Sequence, residues 1–297
     1  LGTIPHILSA LNSGDFKTVA RALTIVENEL PGADELLKSL QFEKSPPIIG
    51  ITGPPGAGKS TLVNALIGNL INDGLKIAIL AIDPTSPFNF GSLLGDRIRM
   101  SAHFNHPGVF IRSLATRGSL GGVSAKTIEM SDVLRAAGFD YIFIETVGVG
   151  QSEVEIAGLA DVTMVVLVPE SGDEIQNIKS GLMEIADAFI VNKADRDGAD
   201  VFANNLKKIS KQNGERIPVF KTTASQGTGI SEIVNFIKSA QHTNNARREH
   251  LLADKAYKLI QQKRMGNLDK KILQAKITKA LAAGNFNLYA FVEMVNG

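Results

Sequence analysis

Apolar positions in the first part of the chain recur at helical spacing, with Phe16, Val19, Ala20, Leu23, Val26 and Leu30 on one stripe. Asp15 stands before them as an N-cap and Pro31-Gly32 ends the run, so the residues up to about Gln41 predict a helical lead-in. Pro46-Pro47 then breaks the chain, and the pattern changes. Ile48–Thr52, Lys76–Ile82, Val109–Leu114, Tyr141–Glu145, Val162–Val168, Ala188–Val191 and Pro218–Lys221 are short apolar runs separated by helical stretches such as Thr61–Ile71. Several are apolar without alternation, as parallel strands buried on both faces require. Strand–helix alternation of this length predicts an α/β fold, a doubly wound and mostly parallel sheet. Its ligand is expected beyond the carboxyl ends of the strands. From His242 onward the pattern is helical again. Leu251, Leu252, Ala256, Leu259 and Ile260 make one stripe, Ile272, Ile277 and Leu281 another, and Leu288, Phe291, Val292 and Met294 a third. Such a tail packs on its own domain or forms a partner surface. The expected organisation is a helical extension over 1–45, a sheet domain over 46–241 and a C-terminal helical region over 242–297.

Composition narrows the function classes. The 297 residues carry a formal net charge of +1, which gives no reason to expect nucleic acid or an anionic membrane as partner. The absence of cysteine removes disulfides and thiolate metal sites, and it fits a reducing compartment. No apolar run reaches the length of a membrane span, and the stretch from Leu1 has no basic-then-apolar order. A cytoplasmic location is therefore the expectation.

Gly53-Pro54-Pro55-Gly56-Ala57-Gly58-Lys59-Ser60 satisfies G-x-x-x-x-G-K-[ST] between a predicted strand and a predicted helix that continues from Thr61. Glycines at these positions let backbone N–H groups converge on phosphate oxygens, and the helix N-terminus adds partial positive charge. Lys59 is placed to reach the β- and γ-phosphates, and Ser60 to offer its hydroxyl to Mg²⁺. Asn192-Lys193-Ala194-Asp195 follows another strand and has the N-K-x-D form. Asp195 can accept from guanine N1–H and the 2-amino group; adenine lacks that donor pair and would leave the carboxylate desolvated and unpaired. Thr222-Thr223-Ala224-Ser225 follows a later strand and is similar to an S-A-x element, with Thr223 where Ser is usual and Ala224 and Ser225 beside it. These motifs together imply GTP or GDP as the bound nucleotide.

Tyr141–Glu145 runs into Thr146-Val147-Gly148. Glu145 stands where D-x-x-G proteins have Asp and is expected near the Mg²⁺ shell, directly or through water. Gly148 can offer its N–H to the γ-phosphate, which makes the segment a conformational switch. Asp83 ends a strand and is a second candidate for the metal shell; Asp96 is a third, with a helix N-cap as its competing role. Val149 occupies the position of the water-orienting Gln of other GTPases. Gln151 is the nearby alternative, or a plain loop residue. The catalytic candidates are thus Lys59, Glu145 and Gln151, with slow intrinsic hydrolysis expected until a partner orders the switches.

G-P-P-G-A-G-K-S at 53–60, D-P-T-S-P at 83–87, G-D-R-x-R-M at 95–100, E-T-V-G-V-G-Q-S-E at 145–153, G-D-E-I-Q-x-I-K-x-G at 172–181 and N-K-A-D at 192–195 occur together. The combination resembles the MeaB/ArgK family of the SIMIBI class of P-loop GTPases. That resemblance implies GTP binding with Mg²⁺ and a homodimer formed through the C-terminal helices. It implies as partner an adenosylcobalamin-dependent methylmalonyl-CoA mutase or a related mutase, whose cofactor loading and protection the GTPase serves. By motif position it implies Ser60, Asp83, Asp96 and Glu145 as the Mg²⁺-associated residues. It also implies 172–181 as a further switch with Lys179 as its basic element, a residue that by itself reads as a solvated helix lysine. Pro169-Glu170-Ser171 departs from the Pro-Gly turn usual in the family, and the tail is short. Three other readings compete. A nickel- or cobalt-insertion GTPase would use metal-handling Cys or His; only His103 and His106 lie close in sequence, and two surface histidines are the simpler expectation. A P-loop kinase needs an acceptor-site base that is not evident. A non-hydrolysing scaffold would rest on the tail.

Competition against a fluorescent guanine nucleotide tests the two motifs separately. Lys59→Ala is expected to lose affinity for every nucleotide, whereas Asp195→Asn should lower the preference for guanine more than it lowers phosphate binding. Unchanged selectivity in Asp195→Asn would remove the base assignment.

Overall fold

The computed structural model describes residues 3–83, 103, 105–115, 125–146, 156–170, 182–212, 215–240, 247–265, 270–284 and 286–296. Three N-terminal helices, α1 (Ile4–Asn12), α2 (Phe16–Glu27) and α3 (Ala33–Lys38), precede the sheet. The sheet and its helices follow as β1 (Ile48–Thr52), α4 (Lys59–Asn72), β2 (Ile77–Asp83), β3 (Val109–Ala115), α5 (Ala125–Arg135), β4 (Tyr141–Glu145), β5 (Val162–Leu167), α6 (Leu182–Ile185), β6 (Ala188–Asn192) and α7 (Ala199–Ile209). A two-residue ladder of β7 (Lys211–Gln212) and β8 (Glu215–Arg216), then β9 (Val219–Thr222) and α8 (Ile230–Ala240), complete it. The seven main strands pair throughout in parallel, in the order β3-β2-β4-β1-β5-β6-β9. The predicted doubly wound α/β fold is therefore the observed one, and each predicted strand is present within a residue or two of its expected ends.

Burial on both faces explains the unbroken apolar runs. Along β1, β2 and β4, Ile48, Ala78, Leu80, Ile142 and Ile144 pack to one side with α1, α2, α3 and α5. Ile49, Ile51, Ile77, Ile79 and Phe143 pack to the other with α4 and α8. Val165, Leu167, Phe189 and Val191 continue the first face beneath α7, against Phe202, Ala203 and Leu206. The helical lead-in is thus part of the sheet's covering layer. Phe16 stacks at 6.0 Å from Phe139 and edge-on at 5.6 Å from Phe110. Asp15 caps α2 as its position in the sequence implies, accepting from Thr18 N–H at 2.9 Å. The Thr18 hydroxyl donates to the same carboxylate, and these hydrogen bonds hold Asp15 below the usual carboxylate range.

Ion pairs fasten the same layer. Arg112 on β3 meets Glu27 at 2.5 Å. Lys126 on α5 meets Glu29 at 2.9 Å and Glu129 at 2.8 Å. Burial disfavours the Lys126 ammonium, but the hydrogen bonds to Glu129 and Glu29 outweigh it and hold the group above its ordinary value.

A repeated device fixes strand register at the amino ends of the sheet. Asp140, Asp161 and Asp187 each stand one residue before a strand, and each accepts an N–H at or next to the start of a neighbouring strand. Asp140 takes Lys76 N–H at 2.8 Å, Asp161 takes Ile48 N–H at 2.8 Å and Asp187 takes Thr163 N–H at 2.7 Å. Asp161 also meets Arg135 at 2.6 Å.

The chain divides into two compact units, Leu1–Leu251 and Leu252–Gly297. The tail helices are α9 (Arg247–Met265), α10 (Lys270–Ala282) and α11 (Leu288–Asn296). Within the second unit Phe286 and Phe291 pack at 5.6 Å, and Asn287 caps α11 through Tyr289 N–H. Ile260, Ile272, Leu281, Leu288 and Met294 are exposed. No helix among the described residues is long and apolar enough to cross a membrane.

Asp161→Ala strips the carboxylate from both Ile48 N–H and the Arg135 guanidinium, and is expected to cost about 2–4 kcal/mol in equilibrium denaturation. Lys44→Ala, which removes only an exposed partner of Asp140, should stay within about 0.5 kcal/mol of the parent.

Candidate functional site

The central strand β1 lies between β4 and β5, so the loop after it leaves the carboxyl edge where the direction of winding reverses. Residues 53–58 form that loop and α4 begins at Lys59. Two glycines are required by geometry. A Cβ on Gly53 would lie 2.1 Å from the Val166 carbonyl oxygen, and one on Gly58 would lie 2.4 Å from Asn192 Nδ2. Both also stand at positive φ, 134° and 87°. Lys59 is buried at the base of the loop, with Nζ donating to Gly53 O at 2.8 Å and Pro54 O at 3.0 Å. Its ammonium is thereby folded back over the loop whose N–H groups define the phosphate cradle.

Ser60 and Glu145 meet beside the loop, the hydroxyl donating to Oε1 at 2.6 Å. Glu145 is 5 % exposed, so this carboxylate ends its strand inside the protein and not at the solvent. The next residue, Thr146, returns to β1: its N–H donates to Ile51 O at 3.0 Å and its hydroxyl lies 3.0 Å from that of Thr52. A serine hydroxyl and a carboxylate form an all-oxygen donor pair, which suits a hard cation such as Mg²⁺. Among the described residues no group of three or more His, Asp or Glu side chains is placed to hold a metal.

The second half of the crevice follows β6 and β9. Asn192 is buried and joins three elements. Its Nδ2 donates to Ala57 O in the phosphate loop at 2.9 Å, and its Oδ1 accepts from Ala224 N–H at 3.1 Å. Lys193, at φ 56°, sends Nζ to Gly56 O at 2.8 Å. Ala194 N–H donates to Thr222 O at 3.1 Å. Asp195 is exposed at the rim, with the Thr223 hydroxyl 3.4 Å from Oδ1. Asp195 and Thr223 also line a recess of ≈ 490 Å³ walled by Lys207, Lys221, Gln226 and Glu232.

The structure thus brings together Gly53, Pro54, Pro55, Gly56, Ala57, Gly58, Lys59, Ser60 and Thr61 with Glu145 and with Asn192, Lys193, Asp195, Thr223, Ala224 and Ser225 along one sheet edge. Asp83 closes β2. Asp96, Gly148, Gln151 and Lys179 lie outside the described residues. Three participants escaped the sequence reading. Thr146 follows the acid in the motif, but its bond to Thr52 depends on β1 and β4 being neighbours. Glu170, just after β5, pairs with Arg196, just after Asp195. That contact joins residues 26 apart and has no local sequence signal. His103 and His106 are half-buried; His103 Nε2 lies 3.3 Å from Asn64 O, and His106 Nδ1 accepts from Gly108 N–H at 3.1 Å. They serve the turn that leads into β3.

Comparison with known proteins agrees with this geometry. Residues 19–280 match the family model described as methylmalonyl Co-A mutase-associated GTPase MeaB. A putative GTPase of Pyrococcus abyssi is 44% identical over 291 residues, covering 95% of this chain and 89% of that protein. A fused isobutyryl-CoA mutase of Geobacillus kaustophilus is 38% identical over 239 residues, which cover 74% of this chain and 22% of that longer protein. Among solved structures, one titled LAO/AO transport system kinase superposes with a TM-score of 0.67 at 25% identity, covering 99% of this chain and 96% of that one.

Asn192→Ala leaves a backbone carbonyl and an N–H without their shared partner. It is expected to lower stability by about 1–3 kcal/mol and to weaken GTP binding in calorimetric titration, where Asp195→Asn should leave stability near that of the parent.

Proposed function

Because this chain belongs to the MeaB family, the methylmalonyl Co-A mutase-associated GTPases, we propose that it serves an adenosylcobalamin-dependent acyl-CoA mutase as a GTP-driven chaperone. In this reading it assists cofactor loading and protects the loaded enzyme. The observation that carries the nucleotide half is the Asn192 bridge, which ties the phosphate loop to both loops after β6 and β9. One rigid crevice then reads triphosphate at Lys59 and guanine at Asp195. The partner half is supported by the family's description and by the mutase relative in which a segment similar to this chain is joined to the enzyme.

Each residue has a distinct part in hydrolysis. The N–H groups of 53–60 orient the triphosphate, with the α4 N-terminus adding positive potential. Lys59 moves from its two carbonyl partners toward the β- and γ-phosphate oxygens and neutralises charge that builds there. Ser60 and Glu145, which meet beside the loop, would hold Mg²⁺, which when bound shields the phosphate oxygens. Asp83 and Asp96 are proposed to complete that shell. Gly148 is proposed to report the γ-phosphate, and Gln151 to orient water. Lys179 is proposed to join a further switch over 172–181. The exposed apolar residues of α9 to α11 support a homodimer through the C-terminal helices. A cytoplasmic location accords with a chain that has no cysteine. Asp195 favours guanine over adenine, so the kinase title of the solved relative is not carried to this chain.

Binding to purified methylmalonyl-CoA mutase and isobutyryl-CoA mutase should be measured side by side, with GDP and with a non-hydrolysable GTP analogue. One mutase is expected to bind in a nucleotide-dependent way and to accelerate single-turnover hydrolysis above a slow intrinsic rate. Indifference of both mutases, in every nucleotide state, would sink the partner assignment.

A further inference from the structure

We infer that Glu170 is a positioning residue for the guanine-reading loop, holding its outgoing end through Arg196 so that bound nucleotide is retained. The inference rests on the nucleotide reading of that loop and adds a residue which no motif marks.

Three anchors set the loop of residues 192–196. Asn192 fixes its entrance on Ala57 and Ala224. Lys193 fixes its middle on Gly56. Arg196 fixes its exit: the backbone N–H donates to Lys193 O at 3.0 Å, closing a turn around Asp195, and the guanidinium meets the Glu170 carboxylate. The first two anchors reach toward the phosphate loop and toward β9. The third reaches back to the Pro169-Glu170 turn after β5, on the side of β6 opposite β9. Asp195 lies between them, exposed, and its aim depends on both ends being held.

The turn has reason to need holding. Lys193 adopts a positive φ that non-glycine residues rarely accept, so the loop is kept in place by its contacts and not by local preference. The Glu170 carboxylate carries charge at neutral pH. The hydrogen bond from Arg196 and its own backbone N–H hold it below the usual carboxylate range, with the fields of Arg196 and Lys193 acting in the same direction. One carboxylate therefore pairs with Arg196 and lies in the field of a second cation of the same loop.

The size of the effect follows from exposure. Both side chains are about half exposed, so the pair contributes little to global stability. Its consequence belongs in the lifetime of the bound state, since small differences in a restraint at a binding loop appear chiefly in dissociation.

Release of a fluorescent GDP from the full chain, followed by stopped flow, tests this. Glu170→Gln and Arg196→Gln are each expected to speed release roughly two- to fivefold. The double variant should be no faster than the faster single, and the exchanged pair Glu170→Arg with Arg196→Glu should return toward the parent rate. The differences should shrink in high salt. Parent-like release in both singles, or additive acceleration in the double, would overturn the inference. Failure of the parent chain itself to bind guanine nucleotide would instead overturn the reading on which the inference stands, and the parent control shows which has failed.

Discussion

The site depends on one buried amide. Asn192 holds the phosphate loop at Ala57 and the loop after β9 at Ala224, and it does so from the end of β6, which lies between β5 and β9. A carboxylate at this position would repel the Ala57 carbonyl, and an aliphatic side chain would leave two backbone groups unpaired in a site 3 % exposed. Only a side chain with a donor and an acceptor on one planar group serves both. The absence of a Cβ at Gly58 is the other half of the same constraint, because the Asn192 amide occupies the space that a larger residue would need. Triphosphate geometry and base geometry are thereby coupled before any nucleotide arrives, which is the preorganisation a discriminating site requires.

That edge is rigid because the opposite edge and both faces are fixed. The carboxylates of Asp140, Asp161 and Asp187 satisfy strand N–H groups at the amino ends and set the strands in register. A strand displaced by one residue would turn Ile49 and Ile51 from one core to the other and exchange them with Ile48 and Gly50. The N-terminal helices carry a comparable burden. Without them the face of β2, β3 and β4 formed by Leu80, Ile82, Phe110 and Ile144 would lie open. Partly buried pairs such as Arg112 with Glu27 specify where α2 sits more than they add stability, since much of their attraction offsets desolvation.

What was legible in the sequence was whatever leaves a local trace. Strands β1, β4, β5 and β6 could be read because burial on both faces demands unbroken apolar runs. The phosphate loop could be read because glycine is compulsory where φ is positive and space is absent. The Asp15 cap was legible for the same reason, its hydrogen bond spanning three residues. Contacts between distant segments were not. Thr146 with Thr52, Arg196 with Glu170 and Asp161 with Ile48 each join residues whose proximity exists only after the strand order is known. The partners of the two histidines were hidden on that ground. Their spacing was visible, but the Asn64 carbonyl and the Gly108 N–H that occupy them were not.

The strand order itself explains why a guanine-reading loop needed outside restraint. The phosphate loop follows the central strand, with neighbours on both sides, and α4 continues directly from it. The loop after β6 lies next to the edge strand β9 and runs through an irregular turn before α7 begins at Ala199. Its order is therefore borrowed: from Asn192 on the phosphate side, from Thr222 on the edge side, and from Glu170 on the β5 side. A loop stabilised by contacts that differ in burial separates two properties that a switch protein must control independently. In the proposed reading the buried amide holds the loop that carries Asp195, and the exposed ion pair leaves the lifetime of the bound state open to adjustment by salt, by charge or by a surface brought against it.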